Sequence, residues 1–298
     1  MKVAHEAARA HEGREIVKPG ELVDVTFRKG QSPSLAARRT LSVLIGAAAG
    51  DAWKDTTHRV TKAALRGSHE SNDRIGPWLD EVAAIGLTLP TISSRGRAAI
   101  ERAGLFSVLT EETDDDSAAW VEFQFSPAAR RLFGASAKFA AMNRAALFAF
   151  ESKYTVTLYE LGCLLVGRKD KTWRGTIPDL RAKLGVEVGK YGDYAQMKRR
   201  VLDPAKTELD HLAHFTVTWR EKRQGRKVTE IELTFWPKER DEVNAAADEC
   251  ERPRVGRKAR RSGTVERVAA KGAAIRAEIA ASLPSPSPSD YLDDEIPE

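Results

Sequence analysis

Thr176-Ile-Pro-Asp-Leu-Arg-Ala-Lys-Leu-Gly185, followed after a short turn by Gly192-Asp-Tyr-Ala-Gln-Met-Lys-Arg-Arg-Val-Leu-Asp-Pro-Ala-Lys-Thr-Glu-Leu-Asp-His-Leu212, decides how this chain folds. The first piece opens with an N-cap hydroxyl, an acid three residues on and Pro178 in the first turn, and it closes at Gly185. A short, sharply bounded helix is predicted. The second piece starts a helix near Gly192 and sets Tyr194, Met197, Val201, Ala205, Glu208 or Leu209, and Leu212 on one side. Pro204 is its weak point, because a proline inside a helix removes one hydrogen bond and crowds the carbonyl four residues back. On the other side stand Gln196, Arg199, Asp203 and Lys206, with Lys198 and Arg200 on the flanks, chemistry suited to base edges and phosphates.

Downstream, Phe215, Val217 and Trp219 alternate with Thr216 and Thr218, and Ile231, Leu233 and Phe235 alternate with Glu230, Glu232 and Thr234. That period of two predicts two antiparallel strands, each with one face buried. Between them, Arg220-Glu-Lys-Arg-Gln-Gly-Arg-Lys227 carries five basic residues and a turn-forming Gly225. Lys222, Arg223, Arg226 and Lys227 are its candidate phosphate contacts. Upstream, Phe150, Tyr154, Leu158, Leu161 and Leu165 make the apolar stripe of a further helix. Helix, short helix, basic helix and basic hairpin in this order form a winged helix-turn-helix, and the expected partner is duplex DNA. A basic helix face by itself is usually a solvated face. The basic hairpin in the expected position is what favours DNA. Gln196 has two roles open, pairing with adenine or capping a neighbour. Tyr154, Tyr159, Tyr191 and Trp219 are expected as core or wedge residues.

The residues before this unit repeat the pattern more loosely. Leu41, Leu44, Ile45 and Ala48 make an opening helix, His58 to Leu65 a short one, and Ser71 is placed to cap another containing Ile75, Trp78, Leu79, Val82 and Ile85. Phe106 and Val108 face Val121, Phe123 and Phe125 across an acidic turn at Glu111 to Asp116, which predicts a hairpin whose tip avoids phosphate. Lys62, Arg66 and Arg74 are the DNA-contact candidates here, with plain solvation as the alternative. Phe106, Val108, Val121 and Phe123 are the expected surface for pairing two chains. The fold class is therefore α+β, two tandem winged-helix domains. Residues 1–33 are read as an extended arm, 34–147 as the first domain, 148–240 as the second, the main DNA reader, and 241–298 as a flexible tail, basic and then rich in Pro, Ser and acid.

At this point the residues resemble a known family. Phe150-Glu-Ser-Lys-Tyr-Thr-Val-Thr-Leu-Tyr-Glu-Leu161, Ile177-Pro-Asp-Leu-Arg-Ala-Lys-Leu-Gly185, Tyr191 with Tyr194, Lys198-Arg-Arg-Val-Leu-Asp-Pro-Ala205 and Gly225-Arg-Lys-Val228 resemble the paired winged-helix plasmid replication initiators that bind iterons. Upstream, Ile16-Val-Lys-Pro-Gly-Glu-Leu22 and Ala36-Ala-Arg-Arg39 look like that family's entry into its first domain. The resemblance implies binding to direct repeats in double-stranded DNA, help in opening the origin, recruitment of host initiator and helicase, copy control, and a dimer that represses the initiator's own gene. A winged-helix repressor without origin activity is the alternative, and a nicking enzyme a distant one.

Composition bounds the other classes. The 298 residues suffice for two domains, and 48 Lys plus Arg against 43 acids give a net charge of +5. Cys163 and Cys250 have no metal-ligand spacing, and no apolar run is long enough to cross a membrane, so a cytoplasmic chain without metal or cofactor is expected. Rolling-circle nicking needs a His-hydrophobe-His metal pair and a nucleophilic Tyr. His211-Leu-Ala-His214 has the wrong spacing and no acidic cluster. Gly185-Val-Glu-Val-Gly-Lys-Tyr191 is too short for a phosphate loop and lacks its Ser or Thr. No catalytic residue is expected.

Overall fold

A computed structural model describes residues 4–10, 15–23, 32–67, 74–114 and 118–262. Residues 1–251 form one compact unit and 252–298 a second. The cap expected at Ser71 and the Pro/Ser-rich, acidic end of the tail lie outside the described residues.

The first unit begins with α1 (Ala4–Ala10), β1 (Glu15–Pro19) and α2 (Gly20–Val23). These correct the expectation of an extended arm over residues 1–33. β1 pairs antiparallel with β7 (Phe139–Asn143), and Ile16, Val17, Leu22 and Val23 are all buried. The apolar side chains were present in the sequence, but their partner strand lies more than a hundred residues away, where local periodicity gives no sign of it. Next come α3 (Leu35–Ala48), capped by Ser34 on the Ala37 amide, then β2 (His58–Thr61), α4 (Lys62–Arg66) and α5 (Gly76–Ala83). The short helix expected from His58 is thus half strand: His58 to Thr61 pair with Phe123 to Trp120, and the helix starts only at Lys62.

Two hairpins follow. β3 (Gly86–Ile92) with β4 (Ala98–Gly104) had no clear alternation in the sequence, because most of both strands is exposed. β5 (Phe106–Glu111) pairs with β6 (Trp120–Phe125), the hairpin that the sequence did predict, in the sheet order β2-β6-β5. Then α6 (Pro127–Ala135), capped by Ser126, leads to β7 and α7 (Arg144–Ala149). The Arg39 guanidinium donates to the carbonyls of Leu147, at 3.3 Å, and of Phe148 and Phe150, which ties α3 to the chain leaving α7.

The remaining elements are α8 (Lys153–Leu165), β8 (Thr172–Thr176), α9 (Ile177–Leu184), α10 (Tyr194–Met197), a π-helical turn (Lys198–Leu202), α11 (Asp203–Leu212), β9 (Phe215–Gln224), β10 (Lys227–Pro237) and α12 (Arg240–Glu251). β8 adds a third strand, in the order β8-β10-β9. Gly162 lets α8 approach β9 closely, since a Cβ there would sit 2.1 Å from the Phe215 ring. α12 corrects the tail boundary at residue 241. Val243, Ala246 and Cys250 share one helical face, with Ala246 buried, and Cys250 Sγ lies 3.4 Å from the Leu212 carbonyl. In the second unit, α13 (Arg257–Arg261) is described.

Candidate nucleic-acid interface

The surface is built by three local devices. The first is the reciprocal cap on α9: the Asp179 amide donates to Thr176 Oγ1 at 3.2 Å, and the Thr176 amide donates to Asp179 Oδ2 at 2.9 Å. The Thr176 hydroxyl also donates to Asp179 Oδ2, at 2.6 Å, and this bond, followed by the one from the Thr176 amide, holds the Asp179 carboxyl below the usual carboxylate range. Gly185 ends the helix in the left-handed region at φ 65°. Thr176→Ala should therefore cost about 1 kcal/mol, read as a lower urea midpoint at unchanged slope. Because the folded pKa of Asp179 is depressed, its part of this stability is present above the unfolded pKa and fades as pH falls through the folded one.

The second device is the turn into the basic helix. Tyr191 adopts φ 52°, costly for a side chain of that size, and the Arg181 guanidinium holds it by donating to the carbonyls of Tyr191 (2.8 Å) and Lys190 (2.5 Å). Asp193 then caps α10 through the Gln196 amide at 2.7 Å. This leaves the exposed Gln196 side chain free of the capping role that the sequence left open for it.

The third is the π turn. Pro204 has no N–H to return to Arg200, and the helix absorbs the fault by widening, with the Asp203 amide bonding to the Lys198 carbonyl five residues back. One residue is added to that turn, so Val201 and Leu202 are both buried while Arg199 and Arg200 are exposed. Met197, Ala205, Glu208, Leu209 and Leu212 are buried as the sequence predicts, whereas Tyr194 is only half-buried.

β9 and β10 run on through the segment expected as a loop. Gln224 pairs with Lys227, and Gly225, at φ 61°, turns the chain with Arg226. The N-terminal end of α10 and this wing tip line one cleft of ≈ 890 Å³, with Arg181, Tyr194, Ala195, Arg223, Arg226 and Lys227 on its walls.

The basic candidates divide by their partners. Arg199, Arg200, Arg226 and Lys227 are exposed and make no ion pair among the described residues. Lys206 bonds Asp210 (2.7 Å) and Thr216 (3.3 Å); Lys222 bridges Glu230 and Glu232 at 3.2 Å each. Lys198 and Arg223 both meet Glu221, a residue that sequence reasoning passed over as one acid in a basic run. Its Oε1 accepts from Lys198 Nζ at 2.8 Å and from the Tyr194 hydroxyl at 2.9 Å, and its Oε2 accepts from Arg223 Nη2 at 2.9 Å. Led by the Lys198 bond, these donors hold the carboxyl down at about 2. Burial, with the Glu221 carboxylate beside it, pushes the Tyr194 phenol far up.

In the first lobe, Lys62 corrects an expectation. It is 1% exposed, with Nζ 2.9 Å from Glu111 and 2.7 Å from the Asp114 carbonyl, so it cannot reach a phosphate. Glu111 and Asp114, at the near end of the acidic turn expected to repel DNA, supply these two contacts. Arg74 is exposed and Arg66 half-exposed. The pairing surface is corrected as well: Val121 and Phe123 are both 0% exposed, and Phe123 packs against Phe106 and Phe125, so neither can meet a second chain. Val108 is 49% exposed and Phe106 half-buried.

Tyr159, expected in the core, and the two histidines weighed as a metal pair are placed as follows. Tyr159 is wholly buried, its oxygen accepts the Asn143 amide at 2.9 Å, and burial drives its pKa up, the opposite of nucleophile activation. The His214 ring packs against Phe215, and His211 Nε2 lies 3.5 Å from Glu249. Among the described residues no group of three His, Cys, Asp or Glu is placed to hold a metal, and no helix is long and apolar enough to cross a membrane.

Residues 176–235 match the family model described as initiator Rep protein, WH2. No curated protein sequence matches the chain. Among solved structures, the chain is similar to the crystal structure of Pi initiator protein in complex with iteron DNA, with a TM-score of 0.57 and 15% identity, over 76% of this chain and 99% of that one. At that identity the likeness is one of fold.

Proposed function

We propose that this chain, whose residues 176–235 match the second winged-helix domain of initiator Rep proteins, is a plasmid replication initiator that binds direct repeats in double-stranded DNA. The observation that carries the reading is the cleft shared by the start of the basic helix and the wing tip, with Arg226 and Lys227 on its wall; these two, like Arg199 and Arg200 further along the helix, are exposed cations with no ion pair among the described residues. Gln196 and Arg199 read base edges in the major groove, and the wing tip neutralises phosphates. The solved relative of like fold was crystallised on iteron DNA.

The first lobe is a second winged helix in tandem with the first, supported by its order of helices and hairpins and by a fold likeness reaching well beyond residues 176–235. Two linked modules raise affinity, because the second contact becomes intramolecular once the first has formed. Arg66 and Arg74 are its remaining candidate contacts. Self-association, which lets the chain repress its own gene, uses the free edge of β5 at Phe106 and Val108. Origin opening, host initiator and helicase as partners, and a cytoplasmic site of action without catalysis complete the reading.

Footprinting on the DNA beside its own gene tests it. Protection of several direct repeats in an AT-rich region is expected, and protection confined to one inverted repeat at a promoter would make the chain a repressor instead. The wing has its own signature. Arg226→Ala and Lys227→Ala should weaken cognate and scrambled duplexes alike and flatten the salt dependence by about 0.9 per lost contact; an unchanged slope would remove the wing from the interface.

A further inference from the structure

Lys198 lies on the basic helix and Arg223 on the wing, so both border the DNA-reading surface, yet neither presents a free charge. Each is bound to one carboxylate, Glu221 of β9, at 2.8 and 2.9 Å. That side chain is only 14% exposed, while Lys198 and Arg223 are 39% and 59% exposed. Glu221 is further anchored by the neutral Tyr194 hydroxyl at 2.9 Å, and Lys198 lies 5.9 Å from the Trp219 ring. A carboxylate that accepts charge-assisted hydrogen bonds from a lysine and an arginine occupies the place a phosphodiester oxygen would take.

We propose that Glu221 is a positioning residue that sets specificity by acting as an internal stand-in for phosphate, withholding Lys198 and Arg223 from the DNA backbone. This rests on the DNA-binding reading above. Backbone attraction is indifferent to sequence, so each cation released to it strengthens every duplex in the non-specific mode. Held by Glu221, the two cations instead fix the helix against the wing, and discrimination is left to Gln196 and Arg199. On a cognate duplex the gain from the released cations is offset, because the base contacts there depend on the fixed placement of helix against wing that the bridge provides.

The test uses the full chain, a duplex that the wild-type chain selects from a random-sequence pool, and a scramble of the same composition, across a salt series. For Glu221→Gln, which keeps the shape and an acceptor for Tyr194, scrambled binding should tighten about tenfold, with a salt dependence steeper by about one to two units. The selected duplex should change by about twofold or less. Unchanged or weaker scrambled binding, or equal gains on both duplexes, overturns the proposal. Lys198→Ala, which leaves Glu221 in place, should alter scrambled binding by about twofold at most, because that charge is already occupied. In a Lys198→Ala, Arg223→Ala background the gain from Glu221→Gln should shrink to about twofold, the relief of the carboxylate's own repulsion of the backbone, and a gain of about tenfold there also overturns it. If the wild-type chain selects no sequence at all, the initiator reading fails, while the scrambled duplex still measures Glu221.

Discussion

Replacing Lys18 with Ala is expected to cost about 3–5 kcal/mol of folding stability, because it strands a buried charge. Lys18 Nζ sits 2.9 Å from Glu160 Oε1, and the two side chains are 5% and 4% exposed. β1 supplies the lysine and α8 the glutamate, so the pair fastens the N-terminal strand to the first helix of the DNA-reading unit. Without the ammonium, the Glu160 carboxylate must stay ionised in an apolar surround or take up a proton. Arg38 offers partial relief. It is almost wholly buried, which lowers its pKa, while the charge of Glu160 acts in the opposite direction. The loss should therefore fall toward the lower end of the range. Against a total stability of about 5–15 kcal/mol for a domain, it is large. Urea unfolding reads it as a shift in midpoint at constant slope. The double change Lys18→Met, Glu160→Leu should recover only part of the loss, since replacing the pair by apolar groups is close to neutral but leaves the buried Arg38 without Glu160 beside it. A single-mutant cost under about 1 kcal/mol would mean that water reaches this pair.

The second large effect falls on recognition. Gln196→Ala or Arg199→Ala should each remove about 1–3 kcal/mol of discrimination at one position of the DNA site, up to roughly a hundredfold, and leave scrambled binding nearly intact. Both side chains are exposed, and Gln196 lies at the capped start of the helix, beside the cleft that the wing tip closes. The effect is opposite in kind to that of the wing, where loss of a phosphate contact spares sequence preference. Equal losses on cognate and scrambled duplexes would show that the reading surface lies elsewhere, with Arg200 one turn's flank away as the next candidate.

Much of the winged-helix unit was legible in the sequence because its signals are local. The Thr176 and Asp179 cap, the Gly185 stop and the alternation of β9 and β10 each depend on side chains a few residues apart. The order of those elements, and with it the winged-helix fold and the expectation of DNA, followed from the chain alone. Pro204 announced a fault in the helix but not its form. Whether the chain breaks, kinks or widens depends on what packs against it, and the burial of Val201 and Leu202 together favours the π turn.

Tertiary structure alone decided the rest, because the deciding partner is remote in sequence or the strand lacks alternation of its own. β8, Thr172-Trp-Arg-Gly-Thr176, reads as a loop until β10 supplies its hydrogen bonds. β1 reads as part of an arm until β7 pairs with it. Lys62 reads as a surface cation until Glu111 and the Asp114 carbonyl enclose it, and Val121 and Phe123 read as a sticky face until the fold buries both, Phe123 against Phe106 and Phe125. Glu221 is the same case at the functional surface. Its sequence neighbours make it one acid among five bases, and only the approach of helix to wing gives it Tyr194, Lys198 and Arg223 to hold. Sequence thus determined the elements whose signals are local, α9, the basic helix, β9 and β10 among them, and with their order the expectation of DNA, since such helix and strand signals are short-ranged. Which cations are free to meet that molecule depends on charges brought within about 3 Å by the fold, where a paired and an unpaired side chain differ most.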